Sequence, residues 1–276
     1  MLLHAPAKLN LCLYLGPRRE DGLHELCSLF EPLALADLIA VSEAAVDEVI
    51  CPGVEGENLA AKALAGLRER GWEGPPLRVE IEKRVPVAAG LGGGSGDAAA
   101  VLRLAAGAVG DLQGLAAQLG ADVPSQLRPT LALVQGAGER VEPLPQPASH
   151  AAVLLPDGGG LSTAAVFAEA DRLGSGRGAE ELQALAAELR RAAGAGASPL
   201  TYPELLVNDL EAPARSLRPA IGDALDELRE AGAPVAILSG SGPTAVGLFP
   251  DLAAARAAAE TIDRDDAIVC AAGVAP

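Results

Sequence analysis

The chain has 276 residues, half of them hydrophobic, which is enough for two modest domains or one large one with a real core. Its 21 Lys and Arg residues against 37 Asp and Glu give a formal net charge of −16, which argues against a nucleic-acid binder or a binder of anionic membranes. A phosphorylated small ligand stays possible, because a few backbone amides and one lysine can hold phosphate at any net charge. Composition also excludes collagen-like, coiled-coil and disulfide-scaffold proteins.

The cysteine spacing and the hydrophobic segments both favour a soluble protein of the reducing cytosol. No two of the four cysteines are closer than 15 residues, so there is no CxxC metal or redox motif and we expect free thiols. The apolar N-terminus has no basic segment and is interrupted by Lys8 and Asn10, so no signal peptide is predicted. The longest uncharged run, 231–250, holds four glycines and three prolines and predicts strand–turn–strand instead of a membrane span. We expect a cytoplasmic monomer or homodimer that binds neither membrane nor nucleic acid.

Hydrophobic periodicity predicts strands and helices in an irregular order. Residues 7–15 alternate leucines with Lys8, Asn10, Cys12 and Tyr14, so the second face of this strand either meets water or lines a site. The other predicted strands lie at 26–42 (one or two short strands), 77–85, 130–135, 151–155, 234–238 and 244–249. The predicted helices lie at 57–70, 97–109, 111–119, 162–172, 180–193, 204–230 (broken at its prolines) and 252–262. Because strands and helices do not alternate regularly, we expect an α+β fold.

A Pro/Ser-rich stretch, LPQPASH at 144–150, has the composition of a linker. It predicts a domain boundary near residue 150. The N-terminal domain would span 1–150 and the C-terminal domain 151–276, each long enough for a core of its own.

The strongest local signal is a glycine-rich segment between a strand and a helix, PVAAGLGGGSGDAAAVLRLA at 86–105. Such a junction leaves helix N-terminal amides free and lets the backbone approach a ligand without Cβ atoms in the way, which suits phosphate. It is not a Walker A motif, because no lysine follows the glycines. Nor is it a GxGxxG dinucleotide fingerprint, because Ser95 stands where the third glycine would be. The alternative is a flexible connector, which would rarely run straight into so regular a helix.

A second glycine cluster, LSGSGPTA at 238–245, matches the loose GxGxxA form of a dinucleotide site. The residues that follow predict a strand, so the helix end that such a site requires would be absent. A hairpin turn is an equally good interpretation.

Three polar residues stand out, although each has an ordinary explanation when taken alone. Lys8 could be a solvated strand lysine, Asp122 in GADVP could cap a helix or shape a turn, and His24 in DGLHEL could be a surface imidazole.

In combination, three segments resemble the motifs of the GHMP small-molecule kinases. AKLNLCLYLGPRREDGLHEL, PVAAGLGGGSGDAAAVL and SGSGPTAVGLF occur in the order and spacing of that family, and GENL, FAEAD and VNDLE extend the similarity over nearly the whole chain. The resemblance implies an ATP-dependent kinase with a two-domain α+β fold and its active site in the cleft between the domains. The Lys-x-Asn strand, the Gly-x-His-Glu loop and GADVP favour members that phosphorylate the 2-hydroxyl of 4-diphosphocytidyl-2-C-methyl-D-erythritol in isoprenoid synthesis.

The resemblance also implies roles for individual residues. Asp122 would be the general base for the acceptor hydroxyl, and Lys8 would keep it ionised. Asn10 would position the acceptor, and His24 with Phe167 would hold its cytosine ring. ATP would lie near Asn58, with its triphosphate against Pro86, Val87, Ala88, Ala89, Gly90, Leu91, Gly92, Gly93, Gly94, Ser95 and Gly96. Ser95 would lie near phosphate or the expected Mg²⁺, and 240–242 would let backbone come close.

Two positions depart from the family pattern. Leu23 stands where members often carry Tyr, which removes an aromatic face from the cytosine site at a cost on the order of 1 kcal/mol. Gly96 stands where a second Ser is common, which removes one hydroxyl but leaves the backbone amides.

Other functions remain open on the sequence. They are another GHMP kinase acting on homoserine, mevalonate or a sugar, a Rossmann-type oxidoreductase, and a nucleotide-binding relative without catalysis. The strand after SGSGP and the missing acidic ribose residue speak against the oxidoreductase. The presence of both Lys8 and Asp122 speaks against a non-catalytic relative.

Overall fold

The chain folds around two β-sheets in a computed structural model that describes residues 1–273. The first sheet contains β1 (Leu2–Arg18), β2 (His24–Glu43), β3 (Glu48–Ile50), β4 (Leu77–Glu82), β5 (Ala132–Gly136) and β6 (Arg140–Pro143). The second contains β7 (Ala151–Leu155), β8 (Val235–Leu238), β9 (Ala245–Phe249) and β10 (Ile268–Ala271), in the spatial order β10-β7-β9-β8. Within the described residues only β3 and β4 pair in parallel, and the other named strands pair antiparallel.

Helices come in groups between the strands instead of alternating with them, which confirms the expected α+β class. They are α1 (Leu59–Glu69), α2 (Gly93–Arg103), α3 (Leu112–Leu119), α4 (Val123–Gln126), α5 (Thr163–Leu173), α6 (Ala179–Ala193), α7 (Glu211–Leu217), α8 (Ala220–Glu230) and α9 (Leu252–Ala259). No helix among residues 1–273 is both long enough and apolar enough to cross a bilayer. The four cysteines are free thiols, as predicted, and three of them are buried.

Strands β1 and β2 form a long hairpin that carries the first candidate residues. Lys8 pairs with Pro32 and Asn10 with Phe30, and the register shifts just before Lys8 and just after Asn10. Such bulges redirect side chains locally. Both faces of β1 are buried over residues 5–16, so Lys8 and Asn10 face the interior of the molecule and not bulk water.

Strand β2 runs unbroken for 20 residues, where the sequence predicts one or two short strands at 26–42. Its N-terminal half pairs with β5, its C-terminal half pairs with β4, and β1 pairs along both halves. Its length therefore depends on partners that are distant in sequence, and local periodicity could not give it.

Helix α2 begins inside the glycine-rich segment, at Gly93 instead of the predicted Asp97. Gly92 has a left-handed φ of 67° and the backbone turns helical directly after it, so the last glycines form the first turn of the helix. The sequence analysis does not predict β3, β6, β10 or α4. Each has only three or four residues and is too short to show a hydrophobic period.

The two halves of the chain share apolar packing. Leu9 of β1 packs in one cluster with Leu154 of β7 and Val246 of β9, so the sheets meet across an apolar interface. The first sheet ends at Pro143 and the second begins at Ala151, and the predicted boundary at 150 lies in this interval. The division at that residue stays a prediction.

Candidate active site

The glycine-rich segment 86–96 folds into a tight loop that leads into α2. Gly90 has a left-handed φ of 75°, and a Cβ there would lie 2.6 Å from the carbonyl oxygen of Ser239 and 2.7 Å from that of Gly242. Only glycine permits this close approach. The loop thereby contacts the turn SGSGP between β8 and β9, which is a hairpin turn and not the start of a helix.

Two buried hydroxyls join the same turn to the loop. Ser239 Oγ donates a hydrogen bond to the carbonyl oxygen of Gly90 at 3.1 Å, and Thr244 Oγ1 donates to that of Ala89 at 2.7 Å. Both side chains are fully buried. These bonds hold the loop through its carbonyl oxygens. The amides at the start of α2 remain free for a ligand, because no side chain caps that helix.

A cavity of about 460 Å³ lies beside the start of α2. Asn58 lies in its wall and caps α1, because its Oδ1 accepts the N–H of Ala60 at 2.8 Å. Gly96 faces away from the cavity, since a Cβ there would lie 3.0 Å from the carbonyl oxygen of Pro6 in β1. Glycine at 96 therefore lets α2 pack closely on β1. The other candidate nucleotide residues all line the cavity: Asn58, Pro86, Val87, Ala88, Ala89, Gly90, Leu91, Gly92, Gly93, Gly94 and Ser95.

A buried charge cluster that the sequence did not reveal borders this cavity, and Lys83 and Asp97 lie in the cavity wall. Lys83 Nζ lies 2.8 Å from Asp97 Oδ2 and also pairs closely with the fully buried Asp37. Asp37 accepts the backbone N–H groups of Arg84 at 2.6 Å and Val85 at 2.8 Å, so it also holds the chain where it enters the loop. Burial raises the pKa of Asp97 to about 6 against the opposing charge of Lys83. Burial opposes the charge of Lys83, but its two carboxylate partners outweigh that effect and raise its pKa.

Lys8 and Asp122 lie together, as the family resemblance implies. Lys8 Nζ is 3.2 Å from Asp122 Oδ2, and the lysine side chain is 6% exposed against 30% for the aspartate. Asp122 is the residue before α4, but its side chain makes no capping hydrogen bond, so the carboxylate remains free to act on a ligand. Lys8 Nζ also donates to Asn10 Oδ1 at 2.6 Å, and Asn10 Nδ2 donates to Ser28 Oγ at 3.0 Å.

A second cavity, of about 230 Å³, contains this pair. Its lining includes Lys8, Asn10, Asp122 and Phe167. Four residues line both cavities, and they are Gly90, Gly92, Ser95 and Thr163. The two cavities therefore meet at the start of α2, which places a carboxylate and an ammonium group beside the junction.

His24 and Phe167 come together although 142 residues separate them in the sequence. Their ring centroids are 5.4 Å apart at an angle of 39°. His24 Nε2 lies 2.8 Å from Asp171 Oδ1, one helical turn after Phe167 on α5. Leu23 beside them is 54% exposed and buries little apolar surface in the free protein.

The described residues contain no group of three His, Cys, Asp or Glu side chains arranged to hold a metal ion. Mg²⁺ is commonly held by one or two protein ligands together with substrate phosphates, so this finding fits a metal that arrives with a nucleotide. Ser95 and Thr163 are the hydroxyl residues that line both cavities, and Ser95 lies in the first turn of α2.

Comparisons with known proteins match this architecture. Residues 58–128 match the family described as GHMP kinases N terminal domain, and residues 182–266 match GHMP kinases C terminal. The chain belongs to the GHMP kinase family. As a GHMP kinase it is an ATP-dependent small-molecule kinase, and both matched segments contribute to the shared core, Leu91 from the first and Val246 from the second.

Individual relatives refine the position within the GHMP kinases. A protein of Anaeromyxobacter sp. (strain K), named 4-diphosphocytidyl-2-C-methyl-D-erythritol kinase, is 41% identical over 270 residues, which cover 94% of this chain and 83% of the relative. A protein of the same name from Kineococcus radiotolerans is 40% identical and covers 91% and 82%.

Solved structures give the same result. A crystal structure titled 4-(cytidine 5'-diphospho)-2C-methyl-D-erythritol kinase superposes with a TM-score of 0.81 at 35% identity over 100% of both chains. Homoserine kinase from Cytophaga hutchinsonii superposes at 0.69 with 16% identity, over 98% of this chain and 92% of the other, and shows the shared fold alone.

Proposed function

We propose that this GHMP kinase transfers the γ-phosphoryl group of ATP to the 2-hydroxyl of 4-diphosphocytidyl-2-C-methyl-D-erythritol, a step in non-mevalonate isoprenoid synthesis. The observation that carries the proposal is the junction of two cavities at Ser95 and Gly92. One cavity has the features of a triphosphate site, and the other holds a carboxylate–ammonium pair next to an aromatic side chain. Relatives 41% and 40% identical to this chain bear the corresponding name.

The donor side of the reaction depends on backbone groups. Phosphoryl transfer needs positioning and charge stabilisation more than covalent help from the protein. The loop 86–95 and the uncapped amides of α2 supply both, since they present N–H groups to a triphosphate without side-chain obstruction. Asn58 lies in the same wall and would contact the nucleoside.

The acceptor side depends on side chains. Asp122 accepts the proton of the 2-hydroxyl as that oxygen attacks the γ-phosphorus. The bond from the γ-phosphorus to the bridging oxygen of ADP then breaks, and ADP leaves. Lys8 holds Asp122 in place and offsets the negative charge that gathers around the transferring group. Asn10, fixed by Lys8 and Ser28, orients the acceptor.

The cytosine ring would lie at His24 and Phe167. The Phe167 ring, which contacts the His24 ring at a centroid distance of 5.4 Å, offers a flat apolar face on which a base can stack. Leu23, exposed beside them, would cover part of the base by hydrophobic contact where a second aromatic ring is absent.

Mg²⁺ is the proposed metal cofactor. When bound to the phosphates, it would neutralise charge on them during transfer. Ser95, which lines both cavities, would be a protein contact for it, with the phosphates as its other ligands.

We also place the enzyme in the cytoplasm, as a monomer or homodimer without nucleic-acid or membrane partners. Four free thiols are consistent with a reducing compartment, and the net charge of −16 disfavours polyanionic partners.

A coupled assay of ADP release across four acceptors tests the proposed function. The acceptors are 4-diphosphocytidyl-2-C-methyl-D-erythritol, homoserine, mevalonate and galactose, each with ATP and Mg²⁺. We expect turnover with the first alone, and phosphorus NMR of its product should show a new phosphomonoester. Faster turnover of any other acceptor would reassign the substrate within the family.

A further inference from the structure

Asp171 contacts the acceptor-side imidazole but has no role in the chemistry described above. It lies on α5 one turn after Phe167, and its Oδ1 is 2.8 Å from Nε2 of His24. The His24 side chain is 7% exposed, whereas that of Asp171 is 46% exposed. A half-exposed carboxylate therefore holds a buried ring from the solvent side.

We propose that Asp171 is a positioning residue for acceptor binding, which fixes the His24 ring against the Phe167 ring so that the aromatic surface on which the acceptor base would bind is already in place. The proposal rests on the proposed function, which puts the base at this pair. A carboxylate accepts hydrogen bonds and does not donate them, so Nε2 of His24 carries the hydrogen. The bond sets the orientation of the ring as well as its tautomer.

A fixed orientation of the His24 ring would favour binding of the acceptor base. An imidazole turns about two side-chain bonds, and a base can bind only against walls that are already in place or at the entropic cost of ordering them. Leu23, the residue before His24, is an exposed aliphatic side chain and offers no aromatic face. Most of the flat contact must then come from His24 and Phe167, whose relative angle of 39° depends on where the imidazole is held.

Asp171 is not required to build α5. Ser162 caps that helix by accepting the N–H of Ala165, and Val166 and Ala170 bury its inner face. Glu169 on the same helix accepts a hydrogen bond from Ser216 of α7 at 2.6 Å and also pairs with Arg172. The helix is therefore anchored by other residues, and the Asp171 carboxylate is left for His24.

The experiment compares Asp171→Ala, Asp171→Asn and the control Asp226→Ala, at an exposed carboxylate of α8, in the full-length enzyme. It measures KM for both substrates, kcat, and the Kd of CDP by calorimetry. Asp171→Ala should raise the acceptor KM and the CDP Kd roughly tenfold, because a hydrogen bond to a charged group is lost, with less than about a twofold change in the ATP KM. Asp171→Asn should recover most of the loss, since its amide oxygen can still accept from Nε2. Asp226→Ala should leave the acceptor KM and the CDP Kd unchanged.

A double-mutant cycle with His24→Ala separates positioning from a general structural effect. If Asp171 acts through His24, adding Asp171→Ala to His24→Ala should cause less than about a twofold further loss of CDP affinity. Unchanged CDP affinity in Asp171→Ala, or equal increases in both KM values, would overturn the proposal. Turnover of the wild-type protein tests the proposed function separately. If the wild type does not turn over the cytidylyl acceptor, the proposed function is overturned, but the CDP affinities of the variants still test the role of Asp171.

Discussion

Lys8 Nζ lies 3.2 Å from Asp122 Oδ2 and also donates hydrogen bonds to Asn10 Oδ1 and to the carbonyl oxygen of Gly90, at 2.6 and 3.3 Å. An ammonium group has three N–H donors, and these three acceptors can occupy all of them. One buried cation thus joins the proposed base, the acceptor-orienting amide and the phosphate loop. It is better suited to positioning and charge stabilisation than to giving up a proton.

Asp122→Asn should abolish most of the turnover without preventing nucleotide binding. The amide keeps the size of the carboxylate but cannot take a proton, so we expect kcat to fall roughly 10²–10⁴-fold with the ATP KM little changed. Steady-state kinetics measure both values. Asp251→Asn, at the aspartate before α9, is the matched control and should keep wild-type turnover. Near-wild-type kcat in Asp122→Asn would return this residue to a structural role.

Lys8→Met should cost a similar factor in kcat, because the charge is removed while most of the side-chain volume stays. If Lys8 and Asp122 act on one proton transfer, the double variant should be far less impaired than the product of the two single losses. Kinetics of all four proteins give this coupling directly. Multiplying losses, accompanied by lower melting temperatures, would instead indicate two independent structural residues.

Much of the fold followed from local signals in the sequence. The sequence places Asn58 at the start of a helix, and Asn58 caps α1. This could be predicted because a cap depends on residues that are neighbours in the sequence. The hairpin turn SGSGP and the strand around Lys8 were likewise given by turn residues and by a period of two. The α+β class and the family followed from these elements in combination.

The contacts that complete the site could not be predicted from local sequence, because they join residues that are far apart along the chain. Lys83 meets Asp37 across a separation of 46 residues, and Asp171 meets His24 across 147. Lys83 sits in an alternating strand pattern that is also typical of solvent-facing lysines. Only the pairing of β2 with β4 brings these charges together under the loop.

Gly94→Val should weaken ATP binding strongly while the protein still folds. A Cβ at Gly94 meets only Leu59 Cδ1, at 3.8 Å, so the larger side chain would project into the nucleotide cavity and not into the core. Gly93 is a poorer choice, because a Cβ there lies 3.1 Å from Lys83 Nζ. Calorimetry should show at least about a tenfold loss of affinity for a non-hydrolysable ATP analogue. Gly110→Val, in open space, is the control, and unchanged affinity in Gly94→Val would contradict phosphate binding at this loop.

Phe167→Ala should raise the acceptor KM much more than the ATP KM. The ring lines the acceptor cavity and contacts His24, and loss of a stacked aromatic face typically costs on the order of 1 kcal/mol, or roughly fivefold. Phe167 also packs at the edge of the C-terminal core, so Phe167→Leu serves as the variant that keeps apolar volume without the ring. Initial-rate kinetics with each substrate varied in turn would distinguish the two effects. Equal changes in both KM values would assign Phe167 to the core.

The free energy of unfolding of Asp97→Asn, compared with that of the wild type at the same pH, should rise as the pH increases from 4 to 7. The folded-state pKa of Asp97 is about 6, above its ordinary value of 3.8, because burial disfavours the charged form. The folded protein therefore holds this proton more tightly than the unfolded chain does. The stability that Asp97 contributes is fully present below about pH 3.8 and is lost as the pH rises through 6. Asn cannot ionise and loses nothing over that range.

The test is the difference in melting temperature between Asp97→Asn and the wild type at intervals of half a pH unit. We expect it to shift in favour of the variant by several degrees between pH 4 and 7 and to level off above, since ~1 kcal/mol corresponds to roughly 2–4 °C in a chain of this size. Asp226→Asn, at an exposed carboxylate of α8, should follow the wild type at every pH. A difference that stays constant with pH would mean that Asp97 titrates alike in the folded and unfolded states. The Asp97 carboxylate, in the wall of the nucleotide cavity, would then carry its charge at no cost to folding.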